Sequence, residues 1–293
     1  MYLPCVGFFL CHYRWIAALQ YEYLDTTMTR QSVFDLIGQI WRERRLLVNT
    51  VKVDINTQYA GTVLGLAWIA LGPILLLGLY ATIYAVIFRV RVPNFTIEEY
   101  VLNVFSGLVP FLAFAQALSA SSGVIRRDKK LFFSNFPVGF IPIKAVIGAY
   151  MILGVGTVLV ICGDFLVSEP SWTLLLVPVV AVFQILFSIG LGMFIALIAL
   201  VFKDIEFLIQ YVVIALLVVT PIAYTPDMIP TTLAPLLYGN PLYYFVTSNQ
   251  HLILLNTLPP LHIMLIGGTL SLGTFFCGTW FFLNAKQAVN DLI

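Results

Sequence analysis

The sequence predicts an all-α polytopic membrane protein: six transmembrane helices, both termini cytoplasmic, an N-terminal interfacial amphipathic helix, and short membrane-dipping helices between spans five and six. Three observations predict it. Over 293 residues the chain is 60% hydrophobic and only 10% charged, where a soluble domain carries about 25% charged residues. Its apolar residues gather into segments long enough to cross a bilayer. Its lysines and arginines crowd onto alternate connections between those segments. So few charges cannot coat a water-facing surface, and a mean hydropathy of +0.97 excludes a soluble globular protein.

A helix needs about 20 apolar residues to cross the hydrocarbon core. Six segments meet that length: Thr62 to Phe88, about Tyr100 to Val124, about Ile143 to Val167, about Trp172 to Phe202, about Ile205 to Tyr224, and about Leu261 to Leu283. They divide the chain into a cytoplasmic N-terminal segment (1–61), a six-span domain (62–284) and a cytoplasmic tail (285–293). Gly148, Gly154, Gly156, Gly190 and Gly192 lie inside spans, where small residues let helices approach closely.

Cytoplasmic connections of membrane proteins are rich in Lys and Arg. Arg14, Arg30, Arg42, Arg44, Arg45 and Lys52 precede the first span. Arg126, Arg127, Lys129, Lys130 and Lys144 lie between the second and third, and Lys203 and Lys286 fall on the same side. Arg89 and Arg91 fall on the other. An even number of spans with this asymmetry puts both ends in the cytoplasm. It also keeps the stretch "RRDKK" (126–130) out of the hydrocarbon, where each cation would cost roughly 2.5–3.5 kcal/mol.

Ahead of the first span, "SVFDLIGQIWRERRLLVNTVKV" places Val33, Leu36, Ile37, Ile40, Leu47, Val48 and Val51 at helical spacing. Arg42, Glu43, Arg45, Asn49 and Lys52 fall largely elsewhere. A basic amphipathic helix beside a span lies in the headgroup layer, and Ser32 with Asp35 signals its start. Residues 1–27 lack a basic start and a small-residue cleavage site, which argues against a signal peptide. Met28 is an alternative start.

Between spans five and six, Pro221, Pro226, Pro230, Pro235, Pro241, Pro259 and Pro260 break an apolar stretch into pieces. That excludes one straight span and suggests short helices dipping into the membrane, a gate or pathway element, or else a folded external cap. Irregular backbone survives at membrane depth only when buried in protein or lining a wet cavity.

Catalytic and metal chemistry find little support. His12, His251 and His262 have no nearby acid partners in sequence, and Cys5, Cys11, Cys162 and Cys277 form no CxxC pair. Asp164 and Glu169 sit by the outer end of span three, where solvation competes with a proton-relay role. No GxxxxGK[ST] phosphate loop is present, so this chain does not bind ATP in that way.

One family matches these features in order. "VDINTQYAGTVLGLAWIALGPILLLGLYATIYAVIF" resembles the opening of the ABC type-2 permeases that export polysaccharides, through Asp54, Tyr59, Gly61, Leu64, Gly65, Trp68, Pro73 and Phe88. The family often has Arg before the Asp, where this chain has Val53. Gly107, Phe136, Pro137 and Pro142 match its second span and inner connection. "VFKDIEF" is similar to its Arg-Asp loop, with Lys203 in place of Arg, and "YGNPLYYF" resembles its Asn-Pro motif at Asn240 and Pro241. The similarity runs from about Arg42 to the C-terminus.

The resemblance implies a half-transporter. Two copies would pair in the membrane and carry two copies of a separate cytoplasmic ABC ATPase, which would hold ATP and Mg. The cargo would be a lipid-linked polysaccharide such as O-antigen, capsule or teichoic acid. This chain would be no enzyme and need no cofactor of its own. The home membrane would be the bacterial inner membrane, with membrane lipids as contacts and no nucleic acid partner. The expected ATPase-contact segment is Arg126, Arg127, Asp128, Lys129, Lys130, Leu131, Phe132 and Phe133: the apolar trio docks and the charges orient. Channel-lining candidates are Tyr80, Tyr84, Phe111, Phe114, Tyr243 and Tyr244, with Asn240 and Pro241 at an outer gate. Competing readings are an ABC exporter of a small lipid or drug, an integral-membrane transferase and a proton-coupled transporter.

Overall fold

Ser32 opens the described chain with a capping box. Its backbone N–H donates to Asp35 Oδ2 at 2.9 Å, and its hydroxyl accepts from the Phe34 N–H at 3.0 Å. The computed structural model describes residues 32–83, 96–132, 136–168, 170–224, 232 and 234–292. The readings made on residues 1–27, Tyr84, Arg89, Arg91 and Phe133 lie outside them.

The cap starts α1 (Val33–Arg42), which breaks at Glu43. The next helix, α2 (Arg44–Tyr59), continues from it, so the one helix expected here is two. Leu36, Leu47 and Val51 are buried, while Phe34 and Trp41 stand exposed. The chain then turns at Gly61 (φ 78°) and Gly65 (φ 52°), positive angles that side-chain-bearing residues rarely adopt. This turn delays the first apolar helix: a 3₁₀ turn at Gly65–Ala67 leads into α3 (Trp68–Thr82).

A second capping box, Thr96 with Glu99, opens α4 (Ile97–Ser122). Two single turns follow, α5 (Val124–Arg127) and α6 (Lys129–Phe132), separated at Asp128. Then come α7 (Phe140–Val167), a 3₁₀ turn at Trp172–Leu176, α8 (Val177–Val201) and α9 (Ile205–Val219). Short α10 (Ala234–Tyr238) and α11 (Pro241–Ile253) precede the long α12 (Leu261–Leu292). The described residues contain helices and turns and no strand.

Among the described residues, four helical stretches are long and apolar enough to cross a membrane: Ile97–Ser122, Phe140–Val167, Trp172–Val201 and Leu261–Ala285. The apolar stretches Gly65–Tyr80 and Ile205–Val219 are shorter. A helix the length of α9 rises about 22 Å, against a hydrocarbon core of about 30 Å.

The closest helix pair is α8 with α12. A Cβ built on Gly190 would lie 2.2 Å from the Thr274 carbonyl oxygen, and one on Gly278 would lie 2.1 Å from the Gly190 carbonyl oxygen. A Cβ built on Gly192 would likewise lie 2.7 Å from Ser121 Oγ, whereas one on Gly154 would meet open space. Of the glycines read as packing sites, Gly190 and Gly192 are therefore required by contact. Gly278 was missed because nothing in the sequence pairs it with Gly190.

Two large apolar clusters, and a small one of Leu237, Tyr243, Tyr244 and Ile263, fill the described bundle. One lies at the basic end and joins Leu36 and Leu47 to Val124, Ile125, Phe140, Met193 and Phe282. The other fills the opposite half around Phe111, Phe114, Phe187 and Phe245. Within it α11 is buried on nearly every face, from Leu242 through Gln250.

The α8–α12 contact yields a direct expectation. Gly190→Ala and Gly278→Ala force two backbones apart and should each cost about 1–3 kcal/mol or more. The thermal midpoint of the detergent-purified protein should drop for both and stay unchanged for Gly154→Ala.

Candidate functional site

Lys144 lies in the second turn of α7 with its side chain 1% exposed. A buried ammonium is costly unless charges compensate it. Two carboxylates do so. Its Nζ donates to Asp54 Oδ2 at 2.6 Å. It also lies 2.7 Å from Asp128 Oδ2, an ion pair whose angles fall outside hydrogen-bond geometry. Asp54 sits near the end of α2, and Asp128 is the break between α5 and α6. One side chain thus pins the N-terminal helix and the "RRDKK" segment to the same span.

Arg126 makes a second tie. Its guanidinium pairs with the Glu206 carboxylate in the first turn of α9 and donates to the Ala199 carbonyl near the end of α8. The last carbonyls of a helix lack intrahelical partners, and a forked donor can serve one of them and an acid at once. Gly123 leaves room for this: a Cβ there would lie 2.9 Å from Glu206 Oε1.

The five charges of "RRDKK" therefore divide. Arg126 and Asp128 turn inward. Arg127 is 58% exposed and lies 3.8 Å from Asp128 Oδ1. Lys129 and Lys130 are exposed. Leu131 is half-buried against the apolar cluster at the basic end. Phe132 ends α6, and its side chain, like Phe133, is outside the described set.

Beside this network a cavity of about 1060 Å³ opens between α2, α3, α4 and α7. Asp54, Arg127, Asp128 and Lys144 form its charged corner, and Gln58, Gln116 and Ser119 add neutral polar groups. Tyr59, Trp68 and Phe105 supply aromatic surface, and Pro73 and Leu76 line the apolar side. The lining is thus charged at one corner and mostly apolar elsewhere.

The described aromatic candidates read from sequence are not among the residues lining this cavity. Tyr80 packs edge-on against Phe105 at 6.3 Å between ring centroids. Phe111 and Phe114 are buried in the cluster away from the basic end, where Phe114 stacks on Phe187 at 5.8 Å. Tyr243 and Tyr244 are buried on α11, and the Tyr244 hydroxyl donates to the Tyr238 carbonyl at 2.8 Å. Asn240 caps α11 by accepting from the Leu242 N–H at 3.0 Å, and its Nδ2 donates to Thr220 Oγ1, at the end of α9, at 2.8 Å. Pro241 takes the first helical position, where its missing N–H costs nothing. No group of three His, Cys, Asp or Glu that could hold a metal occurs among the described residues.

With this geometry in place, comparison with known proteins identifies the architecture. The model of the ABC-2 type transporter family matches residues 47–254. The chain belongs to that family. The match spans α2 through α11, and so includes the whole ion network, the cavity and the Asn-Pro cap. The permease is 26% identical over 229 residues to the O-antigen export system permease protein RfbA of Myxococcus xanthus, covering 76% of this chain and 86% of the relative. It is also 26% identical over 217 residues to a protein of the same name from Klebsiella pneumoniae, covering 73% and 82%.

Sequence reading missed the pairing of Lys144. The available signal was one lysine inside the apolar run "FIPIKAVIGAY", which demands a carboxylate from somewhere. Removing it should be costly: Lys144→Met leaves two facing carboxylates, and breaking a buried ion pair costs about 3–5 kcal/mol. Asp54→Asn should cost less, because Asp54 is 46% exposed and water already screens it. Denaturation in detergent compares the two, and equal losses would contradict this assignment of weight.

Proposed function

We propose that this permease is the membrane half of an ATP-driven exporter that carries a lipid-linked polysaccharide, of the O-antigen type, from the cytoplasm across the bacterial inner membrane. Two copies pair, and two copies of a separate ABC ATPase attach to the cytoplasmic face. Six spans cross the membrane, the shorter α3 and α9 included, with both termini in the cytoplasm. All lysines and arginines except Arg89 and Arg91 then lie on that side. The exposed apolar residues of α1, Phe34, Ile37 and Trp41, rest in the headgroup layer.

The observation that carries the reading is the ion network. An external ATPase must act through a rigid element, and α5 and α6 are held by Lys144 and Arg126 to α2, α7, α8 and α9 at once. The Lys144 ties lie on the wall of the cavity between α2, α3, α4 and α7, which we assign to the cargo path. That the relatives are named O-antigen export permeases supports a surface glycan as the cargo. On α9, Phe207, Tyr211, Ile214 and Val218 are exposed at spacings of four, three and four, the seam expected where a second copy packs.

The inward and outward charges also separate two roles. Arg126 and Asp128 hold the segment in place, while Arg127, Lys129 and Lys130 orient the ATPase and Leu131, Phe132 and Phe133 anchor it. Co-purification and ATPase stimulation test this. Lys129→Ala with Lys130→Ala should weaken the complex most at low salt, where the charges are least screened. Phe132→Ala with Phe133→Ala should weaken it at all salts. Arg126→Ala should lower the melting midpoint of the permease alone. A complex indifferent to all four exposed and apolar changes would remove the docking claim. Loss of surface glycan in a deletion strain, with its repeat units retained inside, separates this cargo from a small lipid or drug.

A further inference from the structure

The first helix, α1, carries two apolar stripes, and the bundle covers only one of them. Val33, Leu36 and Ile40 pack into the cluster at the basic end. Leu36 fits against Gly139, where a Cβ would lie 2.8 Å from Leu36 Cδ1. Phe34, Ile37 and Trp41, at spacings of three and four, form the second stripe. It stays bare: Phe34 is 74% and Trp41 73% exposed. One contact fixes its level. The Phe34 ring centroid lies 6.1 Å from that of Phe276, an exposed residue inside the membrane-crossing stretch Leu261–Ala285 of α12. The bare stripe therefore begins where lipid surrounds the bundle.

Three arginines stand at the other end of α1, about 12 Å along its axis. Arg42 ends the helix, Glu43 breaks it, and Arg44 and Arg45 open α2. All three arginines are exposed. The Arg44 guanidinium sits 4.9 Å from the Trp41 ring centroid, and its Nη1 donates to the Trp41 carbonyl at 3.1 Å. That cation–π contact and hydrogen bond hold one fork in place, with its other N–H groups left to bind elsewhere. The same Trp41 belongs to the bare stripe, so the apolar and cationic parts of this surface are joined.

The chain supplies these cations with no counter-charge. Among the described residues the ion pairs belong to Arg126, Arg127 and Lys144. Glu43 lies between the arginines, yet its Oε1 accepts from Gln39 Nε2 at 3.4 Å and pairs with none of them. Asp35 is spent on the Ser32 N–H at the far end of α1. The start of α2 has no side-chain cap and no acid in its first turn, so the positive end of its dipole adds to the field of the arginines. The residues before Ser32 hold two acids, Glu22 and Asp25, and two arginines, Arg14 and Arg30, and bring no net negative charge. Beside a stripe at lipid level, the counter-charge within reach is the phosphate of a lipid. Guanidinium forks bind phosphate oxygens in pairs.

We propose that the α1–α2 break is a binding surface for anionic phospholipid, with Phe34, Ile37 and Trp41 among the acyl chains and Arg42, Arg44 and Arg45 on the headgroup phosphates. A zwitterionic lipid fits less well, because its own ammonium offsets its phosphate. The proposal rests on the interfacial placement of α1 and adds which lipid that helix selects.

Native mass spectrometry of the full permease in detergent tests it, with phosphatidylglycerol and phosphatidylcholine of the same acyl chains at equal concentration. Phosphatidylglycerol should be retained several-fold more, and less so as salt rises. The preference should fall several-fold when Arg42→Gln, Arg44→Gln and Arg45→Gln are combined, and should largely persist when Arg42→Lys, Arg44→Lys and Arg45→Lys are. Equal retention of the two lipids overturns the proposal, as does a preference undiminished in the glutamine variant. Inorganic phosphate at millimolar concentration should not displace the lipid, and displacement would make this a site for a free anion instead. A glutamine variant that alters only the oligomeric state assigns the surface to a second copy and also overturns the proposal. Placement is read separately. In vesicles, brominated phosphatidylcholine should quench tryptophan fluorescence more in the wild type than in Trp41→Phe. That difference without a lipid preference leaves α1 at the interface and removes only the anionic surface, whereas equal quenching removes the placement too.

Discussion

A lysine that must be buried, and cannot be buried alone, organises the basic end of this permease. Lys144 enters the membrane-apolar run of α7, and its ammonium needs anionic partners because the surrounding core offers none. The two it finds come from opposite directions, Asp54 from α2 and Asp128 from the α5–α6 break. That requirement holds the N-terminal helix against the bundle. It sets the break between the two short turns, since Asp128 must face inward while its neighbours face out. It also places a charged corner on the cavity between α2, α3, α4 and α7.

The same economy of charge explains the rest of that end. Arg126 spans from the α5 turn to two other helices, and Glu206 completes it. Few charges are present in the chain, and at this end several are spent internally rather than on solvent. An ATPase acting on α5 and α6 would therefore act on α2 and α9 as well, through ion pairs instead of flexible chain. Just beyond α2 lies the Gly61–Gly65 turn, which gives α3 a short, conformationally permissive joint at its base.

The opposite half is held differently. Its core is aromatic, running from Phe114 through Phe187 to Phe245, and α11 is enclosed by it. Enclosure answers the problem posed by a proline-broken stretch in an apolar chain: backbone groups that cannot pair with water are paired within protein. Asn240 contributes twice, capping α11 and tying it to the end of α9. An Asn-Pro pair at a helix start, read from sequence as part of a gate, here has a structural task with a clear physical cause.

The helical class, the apolar segments and the Ser32–Asp35 cap were legible in the sequence, because composition, periodicity and caps act over a few neighbouring residues. Four of the segments became helices long enough to span, and the motifs from Asp54 to Asn240–Pro241 pointed to the ABC-2 family. The split of the N-terminal helix at Glu43 and the late start of α3 at Trp68 depend on backbone angles that composition does not encode. Three-dimensional packing alone decided which partners meet: Lys144 with an acid 90 residues away, Arg126 with one 80 away, and Gly190 with Gly278. It likewise decided that Phe111 and Phe114 fill a core while Trp68 and Tyr59 line the cavity. A sequence shows that a charge or a glycine inside an apolar run needs a partner, and only the folded chain brings a distant residue within ion-pair or contact distance to supply it.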